Sequence, residues 1–415
     1  MPNDGEAGSD VAPDLAAFAQ QARAFLDAHA PRRDTSHSFE WGRGSDYVGF
    51  FGDPAADGAA DIAAARAWQR VRHENGFGWI TGPKRYGGRE LSSLHDFTYD
   101  LVEAEYDTPD TETLSVIGLG MVGPTILTHG TDDLRDTYLP AMYRGDTIAC
   151  QLFSEPAAGS DLAAVTTRAV RDGDAWVVNG QKVWTSVANC AQIGELLCRT
   201  DPEAPNHRGI TAFVLDMSLP GVTVRPLRQM TGGAEFNEVF LDDVRIPDSH
   251  RLGEVNGGWK VAVTTLMNER GTVAADSGGA AKGAIQPHRL YALMKHLGRH
   301  EDPVARQDLA ALATDVLAAR ALTARATRRM QAGMAPGPEG SIAKLCFAAN
   351  LSRAAHVATD LLGDRAVADS AEWGTFAWNQ LLLATPALRI LGGTEEIMKN
   401  IIAERVLGLP KEAAK

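Results

Sequence analysis

The stretch QLFSEPAAGSDLAAVTTRAVRDGDAWVVNGQKVWTS, residues 151–186, decides the reading of this chain. Its Gly-punctuated loop, Pro156 to Asp161, lies between an apolar lead-in and strand-like runs. Small residues around Gly159 let backbone N–H groups approach an anionic or aromatic ligand. By itself such a loop is equally a surface turn. Thr166 to Val170 reads as a strand and Asp172-Gly173-Asp174 as a turn. Trp176-Val177-Val178 and Gln181 to Trp184 flank Asn179-Gly180, which predicts a two-residue hairpin. Trp184-Thr185-Ser186 ends the stretch with a flat ring and two hydroxyls.

Outward from this stretch, the period divides the chain in three. Strands fit at about 149–153, 166–171, 175–178, 181–186, 194–199, 210–216, 222–227 and 236–246, a density that predicts an antiparallel β-barrel or sandwich. Before it the pattern is helical. A first helix opens at Pro13-Asp14 with Leu15, Phe18, Ala22, Phe25 and Leu26 on one face, and others follow at 59–76, 93–106, 112–129 and 131–143. Residues 34–60, rich in Gly, Asp and aromatics without period, read as an ordered loop excursion, and the first ten residues as disordered. After Gly257-Gly258-Trp259 the helical period returns. Asp302-Pro303 caps a helix carrying Leu309, Leu312, Val316 and Leu317, Ala335 to Gly340 interrupts, Ser341 starts another, and the last runs from Thr394 to Gly408. The predicted fold is α+β: an N-terminal α-helical domain (1–146), a middle β domain (147–256) and a C-terminal four-helix-type bundle (257–415).

Composition narrows the function. The 415 residues are 44% hydrophobic and 22% charged, as in an ordinary soluble protein, with a formal net charge of −13 that argues against nucleic acid and against an anionic membrane. The four cysteines, Cys150, Cys190, Cys198 and Cys346, have no metal-ligand or redox-pair spacing and read as reduced thiols of an intracellular protein. The acidic N-terminus lacks the apolar core of a signal peptide and no run approaches a membrane span, so the expected location is cytoplasmic and no metal is expected.

Two motifs in the opening stretch carry a resemblance. Ser154-Glu155-Pro156-Ala157-Ala158-Gly159-Ser160-Asp161 and Asn179-Gly180-Gln181-Lys182-Val183-Trp184-Thr185-Ser186 resemble the middle-domain signature of the acyl-CoA dehydrogenase family. Gly392-Gly393-Thr394-Glu395-Glu396-Ile397, followed by Ile401-Ile402-Ala403-Glu404-Arg405, resembles its C-terminal motif, and Trp79 to Gly88 an N-terminal turn. The resemblance implies FAD as cofactor, an acyl-CoA as substrate and desaturation at Cα–Cβ. It also implies an electron-transfer flavoprotein or similar acceptor and a homo- or hetero-oligomer with shared sites. It places Gln151, Phe153 and Ser154 along the flavin, Trp184 over one ring face and Ser186 near N5, with Thr185 also among the cofactor-binding residues. Gly159 and Ser160 fall near the pyrophosphate and the CoA, Arg270 near the CoA and the base, and Glu396 towards the ribose or adenine side, with Thr394 also cofactor-binding.

The base is the point of departure. Most relatives place a Glu where this chain has Gly392, whereas isovaleryl- and long-chain-type members place it immediately before an Arg, here Asn268-Glu269-Arg270. Glu269 is therefore the expected base and the Gly392 N–H the expected donor to the thioester oxygen. Without the resemblance, Glu269 also reads as a helical Glu in a local ion pair, and Glu395 as a helix-dipole residue behind the N-cap Thr394. Residues 271–300 lack the family's Arg-x-x-Phe-Gly clamp for the FAD pyrophosphate, and Leu361 to Arg365 replaces a Gly-Gly-x-Gly turn. Two alternatives stay open: a subunit that completes a partner's site, and a flavin oxidase or monooxygenase on the same scaffold.

Overall fold

The computed structural model describes residues 14–34, 39–48, 58–276, 285, 287–331, 337–338 and 340–411, with the side chains of 270–276, 327, 330 and 331 left undescribed. The predicted disorder of the first ten residues lies outside this set, as do parts of the predicted loop at 34–60, of the interruption at 335–340 and of the motif-poor stretch 271–300.

The N-terminal third is helical. In α1 (Leu15–His29) Asp14 Oδ1 accepts from the Ala17 N–H at 2.8 Å, and Phe18, Ala22, Phe25 and Leu26 are buried as their spacing predicts. These rings stack with Trp68 and Phe77, tying α1 to α2 (Gly58–Glu74) and α3 (Ser93–Glu103). The helix predicted for 112–129 exists but is interrupted: α4 (Glu112–Leu114) widens into a π-helical stretch, Ser115–Val122, before α5 (Gly123–His129). α6 (Asp132–Tyr143) opens on the Thr131 hydroxyl, which accepts from the Leu134 N–H.

The middle region is one sheet of eight strands: β1 (Ala149–Leu152), β2 (Arg168–Asp172), β3 (Ala175–Ser186), β4 (Ile193–Arg199), β5 (Ile210–Asp216), β6 (Val222–Leu227), β7 (Phe236–Pro247) and β8 (Arg251–Leu252). The order is β6-β7-β3-β2-β4-β5-β8, with β1 beside β4. Antiparallel pairs dominate, as expected, but β1 runs parallel to β4 and sets Gln151 beside Glu195. The predicted Asn179-Gly180 hairpin is absent. β3 runs unbroken through both residues, because the equally long β7 pairs with it from Ala175↔Pro247 to Ser186↔Phe236. The turn lies at Gly173, and Asn179 marks a register shift instead, its side chain exchanging hydrogen bonds with Asp243. Gly180 is required for contact, not for turning: a Cβ there would sit 2.4 Å from Thr167 Oγ1.

The C-terminal third is a helical bundle of α7 (Gly258–Asp276), α8 (Pro287–His296), α9 (Pro303–Gln331), α10 (Gly340–Leu362), α11 (Ala377–Leu388) and α12 (Glu395–Ile401). Asp302 caps α9 as predicted, accepting from the Val304 and Ala305 N–H groups. Leu312 and Val316 are buried in the bundle, but Leu317 is 63% exposed, one residue round the helix from Val316 and off the packed face. The segment 39–48 crosses from the N-terminal third onto this bundle. Trp41 stacks on His296 with ring centroids 4.7 Å apart and meets Trp373 edge-on, and Val48 is buried in the bundle core.

Candidate active site

The sheet supplies one half of the site. Glu155 and Ala158 exchange backbone hydrogen bonds, closing Pro156-Ala157 into a tight turn that leaves Gly159 and Ser160 exposed beyond it. This turn is anchored by an ion pair between the two motifs. Lys182 Nζ, fully buried, donates to Glu155 Oε1 at 2.8 Å and to the Phe153 carbonyl at 3.0 Å, while the Val183 N–H donates to the Ser154 carbonyl. Glu155 also accepts from the Thr166 N–H and hydroxyl and from the Thr167 N–H. Burial opposes ionisation of Glu155, but Lys182 and these donors outweigh it and hold the carboxyl down at about 2.

Around this anchor stand the residues expected at the flavin. Phe153 is 4% exposed, so its side chain is core, packed between the sheet and α5–α7. Ser154 and Gln151 are half-buried, and the Gln151 Nε2 is buried without a hydrogen-bond partner among the described residues. Between Lys182 and Thr185 the register with β7 shifts, and Trp184 takes φ +59, turning its indole outward at 58% exposure with Phe236 against its edge. Trp184 is thus not a core residue. Thr185 is buried with an unpartnered Oγ1, Ser186 is half-buried, and a Cβ on Gly159 would meet open space.

The bundle supplies the other half. Glu269 lies on α7, and a Cβ built on Gly392 would be 3.3 Å from its Oε1, so the two residues expected to act together converge. Gly392 and Gly393 both take left-handed φ, +64 and +91. The Thr394 hydroxyl then caps α12 by accepting from the Ile397 N–H. Glu395, in the first turn, accepts two hydrogen bonds from Arg389 at 2.9 and 3.0 Å, which hold its carboxyl below the usual range. Glu396 is likewise lowered, chiefly by its own backbone N–H and the Thr394 hydroxyl. Arg270 follows Glu269 on α7, and its side chain lies outside the described set.

A buried polar chain joins the two halves. Glu195 Oε1, on β4, accepts from Thr265 Oγ1 at 2.7 Å, and Thr265 lies one helical turn before Glu269. Thr125 Oγ1 lies 2.9 Å from the same hydroxyl. Burial pushes the Glu195 carboxyl up to about 8. Glu155, Lys182, Glu195 and Lys344, which donates to the Gly393 carbonyl from α10, are site residues that sequence reasoning left without a role. For Lys182 the signal was a charge at an inward position of an alternating strand.

These features fit a flavin. An outward indole offers a flat face, the Gln151 amide and Thr185 hydroxyl await partners, and Gly159 leaves room for a close approach. Among the described residues, no group of three or more His, Cys, Asp or Glu side chains could hold a metal ion, and no helix is long and apolar enough to cross a membrane.

Known proteins match this chain along most of its length. Profiles of the acyl-CoA dehydrogenase N-terminal, middle and C-terminal domains match residues 53–146, 150–244 and 256–407. Acyl-CoA dehydrogenase FadE34 of Mycobacterium tuberculosis is 43% identical over 78% of this chain, and the chain spans 44% of that relative's length. Acyl-CoA dehydrogenase IpdE1 of the same organism is 38% identical over 84% of this chain and 89% of its own. A solved steroid ACAD, Tcur3481–Tcur3483, superimposes with a TM-score of 0.74 at 28% identity, covering 96% of this chain and 98% of the other. The chain belongs to the acyl-CoA dehydrogenase family, whose members use FAD to oxidise the CH–CH bond of acyl-CoA thioesters.

Proposed function

We propose that this chain is an FAD-dependent acyl-CoA dehydrogenase that uses Glu269 as the base and the Gly392 N–H as a donor to the thioester oxygen. The observation that carries this reading is the 3.3 Å between Glu269 Oε1 and the Cβ position of Gly392. A carboxylate on α7 thereby reaches the place where most relatives bring one on the C-terminal motif. The α-proton passes to a Glu269 oxygen, and the electron pair it leaves moves towards the thioester oxygen, where a backbone N–H stabilises the growing charge. FAD, when bound, supplies the two-electron acceptor for the hydride leaving Cβ, giving the trans-2-enoyl-CoA.

The chain's own residues would hold the flavin as follows. Trp184 would cover the ring, with Gln151, Ser154, Thr185, Ser186 and the backbone at Phe153 along the flavin. By the resemblance, Gly159 and Ser160 would serve the pyrophosphate and the CoA, Arg270 the CoA, and Glu396 the ribose or adenine side, with Thr394 among the cofactor contacts. Domain boundaries near residues 147 and 256, a cytoplasmic location and an electron-transfer flavoprotein or similar acceptor belong to the same reading.

The assembly has a second reading with its own support. The chain matches less than half of FadE34, and the steroid ACAD is named for two components. With the Arg-x-x-Phe-Gly clamp absent from 271–300, this favours a hetero-oligomer in which a companion chain completes the grip on the ADP half, and a steroid-linked acyl-CoA as substrate class. Expression alone and with a companion chain separates the two: FAD retained by the isolated chain as a homo-oligomer removes the hetero-oligomeric reading.

The base is tested by Glu269→Gln. FAD binding should survive, and flavin reduction by acyl-CoA should slow by roughly 10²–10⁴-fold, the scale of a lost general base. Normal reduction in this variant, with loss in Glu395→Gln, moves the base to the C-terminal motif.

A further inference from the structure

Lys344 lies on α10, a helix packed against both α7 and α12, and reaches the turn that precedes α12. It is 7% exposed, and its Nζ donates to the Gly393 carbonyl at 2.6 Å. That carbonyl belongs to the left-handed turn that begins at Gly392. On its other side the turn is backed by Met398, whose Cε would be 2.6 Å from a Cβ on Gly393. The turn can therefore shift little without breaking the lysine's bond or striking Met398.

Three carboxylates act on this ammonium: Glu395 most strongly, then Glu269 from α7, then Glu396. Glu395 is already bound by both nitrogens of the Arg389 fork, with Lys399 Nζ at 3.8 Å, and Glu396 is held by the cap of α12. Glu269 is the one of the three whose Oε1 lies 3.3 Å from the Cβ position of Gly392, the residue before the lysine's carbonyl partner. A buried lysine stem needs only apolar packing, which a methionine would provide. An ammonium in this position brings a desolvation cost that lowers its own basicity, and so calls for a role that uses the charge.

We propose that Lys344 is a positioning residue for α-proton abstraction. It fixes the Gly392–Gly393 turn against the thioester oxygen and sets a positive charge beside the carboxylate that meets the same turn. When Glu269 takes the α-proton, its negative charge is lost while the ammonium remains. The local potential becomes more positive as the thioester oxygen becomes negative, so one cation serves both ends of the transfer. This rests on Glu269 being the base.

The experiment uses the FAD-loaded enzyme with Lys344→Met, which keeps the stem, and Lys344→Gln, which keeps a donor for Gly393 and removes the charge. Acetoacetyl-CoA, which ionises to an enolate, probes the oxyanion site by absorbance without turnover. In both variants the pH at which the bound probe ionises should rise by about 1 unit or more. The acid limb of flavin reduction by acyl-CoA should rise too, because a carboxylate without its cation protonates more readily. The rate itself should fall by about 10²-fold in the Met variant and less in the Gln variant. If the Met variant does not fold, the Gln variant carries the same two pH readings. Unchanged ionisation of the probe and an unchanged acid limb, with only the melting temperature lowered, would reduce Lys344 to a structural bond and overturn the proposal. Glu269→Gln separates the two claims. Its normal turnover defeats the base assignment, whereas its loss with unshifted Lys344 profiles defeats only the role of Lys344.

Discussion

The two halves of the site solve the same positioning problem with opposite materials. On the sheet, Glu155 and Lys182 form an ion pair with four further donors or acceptors about it, closed to water and fixed by strand register. Their polar groups are used up in holding the loop, so residues that touch nothing but protein shape the part exposed to a ligand. In the bundle, Glu269 on α7 and the Gly392 turn before α12 are more than a hundred residues apart in sequence, and a lysine from a third helix donates to that turn. Rigidity in the first half comes from saturation. In the second half one buried cation stands near several carboxylates, an arrangement suited to the proton exchange proposed for it.

Cutting the saturated half should have the largest effect. Lys182→Met leaves Glu155 buried without its cation and should cost about 3–5 kcal/mol of stability, the scale for breaking a buried pair on one side. Chemical denaturation of the protein measures this. A loss below 1 kcal/mol would mean that the surrounding N–H groups suffice and that the pair is dispensable.

The joint between the halves should respond to pH. Glu195 has a folded-state value of about 8 against 4.5 for an ordinary glutamate. Between these values the unfolded chain is ionised and the folded chain remains protonated, so the folded state binds more protons. Stability should therefore fall as pH rises from about 4.5 to 8 and level off above, by an amount on the order of 3 kcal/mol at pH 7. Glu195→Gln should flatten that slope in pH-dependent melting, and an unchanged slope would show that the carboxyl is ionised in the fold.

The smallest effect should come from Glu395, whose partner Arg389 is open to solvent on much of its surface. Glu395→Gln should cost about 0.3–1 kcal/mol through the helix dipole and a screened pair, and leave turnover nearly intact. A dead but folded variant would make the bundle half resemble the commoner arrangement of relatives after all.

The sequence made the helical and sheet periods legible because they depend on burial, as at Phe18, Ala22, Phe25 and Leu26, which fall where their spacing puts them. It misplaced the hairpin because Asn-Gly permits a tight turn without requiring one, and the partner strand β7 was long enough to pair across it. The π-helical widening at 115–122 and the parallel β1–β4 pair left no local signal, since both come from contacts made by distant segments. At the site, the motifs pointed to the residues at their exposed ends. Lys344 and Glu195 were hidden for the reason that makes them interesting: an isolated charge in an apolar run acquires meaning only from its neighbours across the fold.

The aromatic segment 39–48 has a consequence for how the chain comes off the ribosome. The Trp373 indole N–H donates to the Gly44 carbonyl across 329 residues, and the Gly374 N–H donates to Asp46 across nearly the same interval. At ordinary rates of synthesis, roughly 5–20 residues per second, Trp41 and Val48 emerge about a quarter of a minute to a minute before the surface that receives them exists. For that time the Trp41 ring and the Val48 side chain stand in solvent beside a sheet that can already fold, an interval in which a holding chaperone has a defined target. A segment made before most of the fold is among the last to be seated.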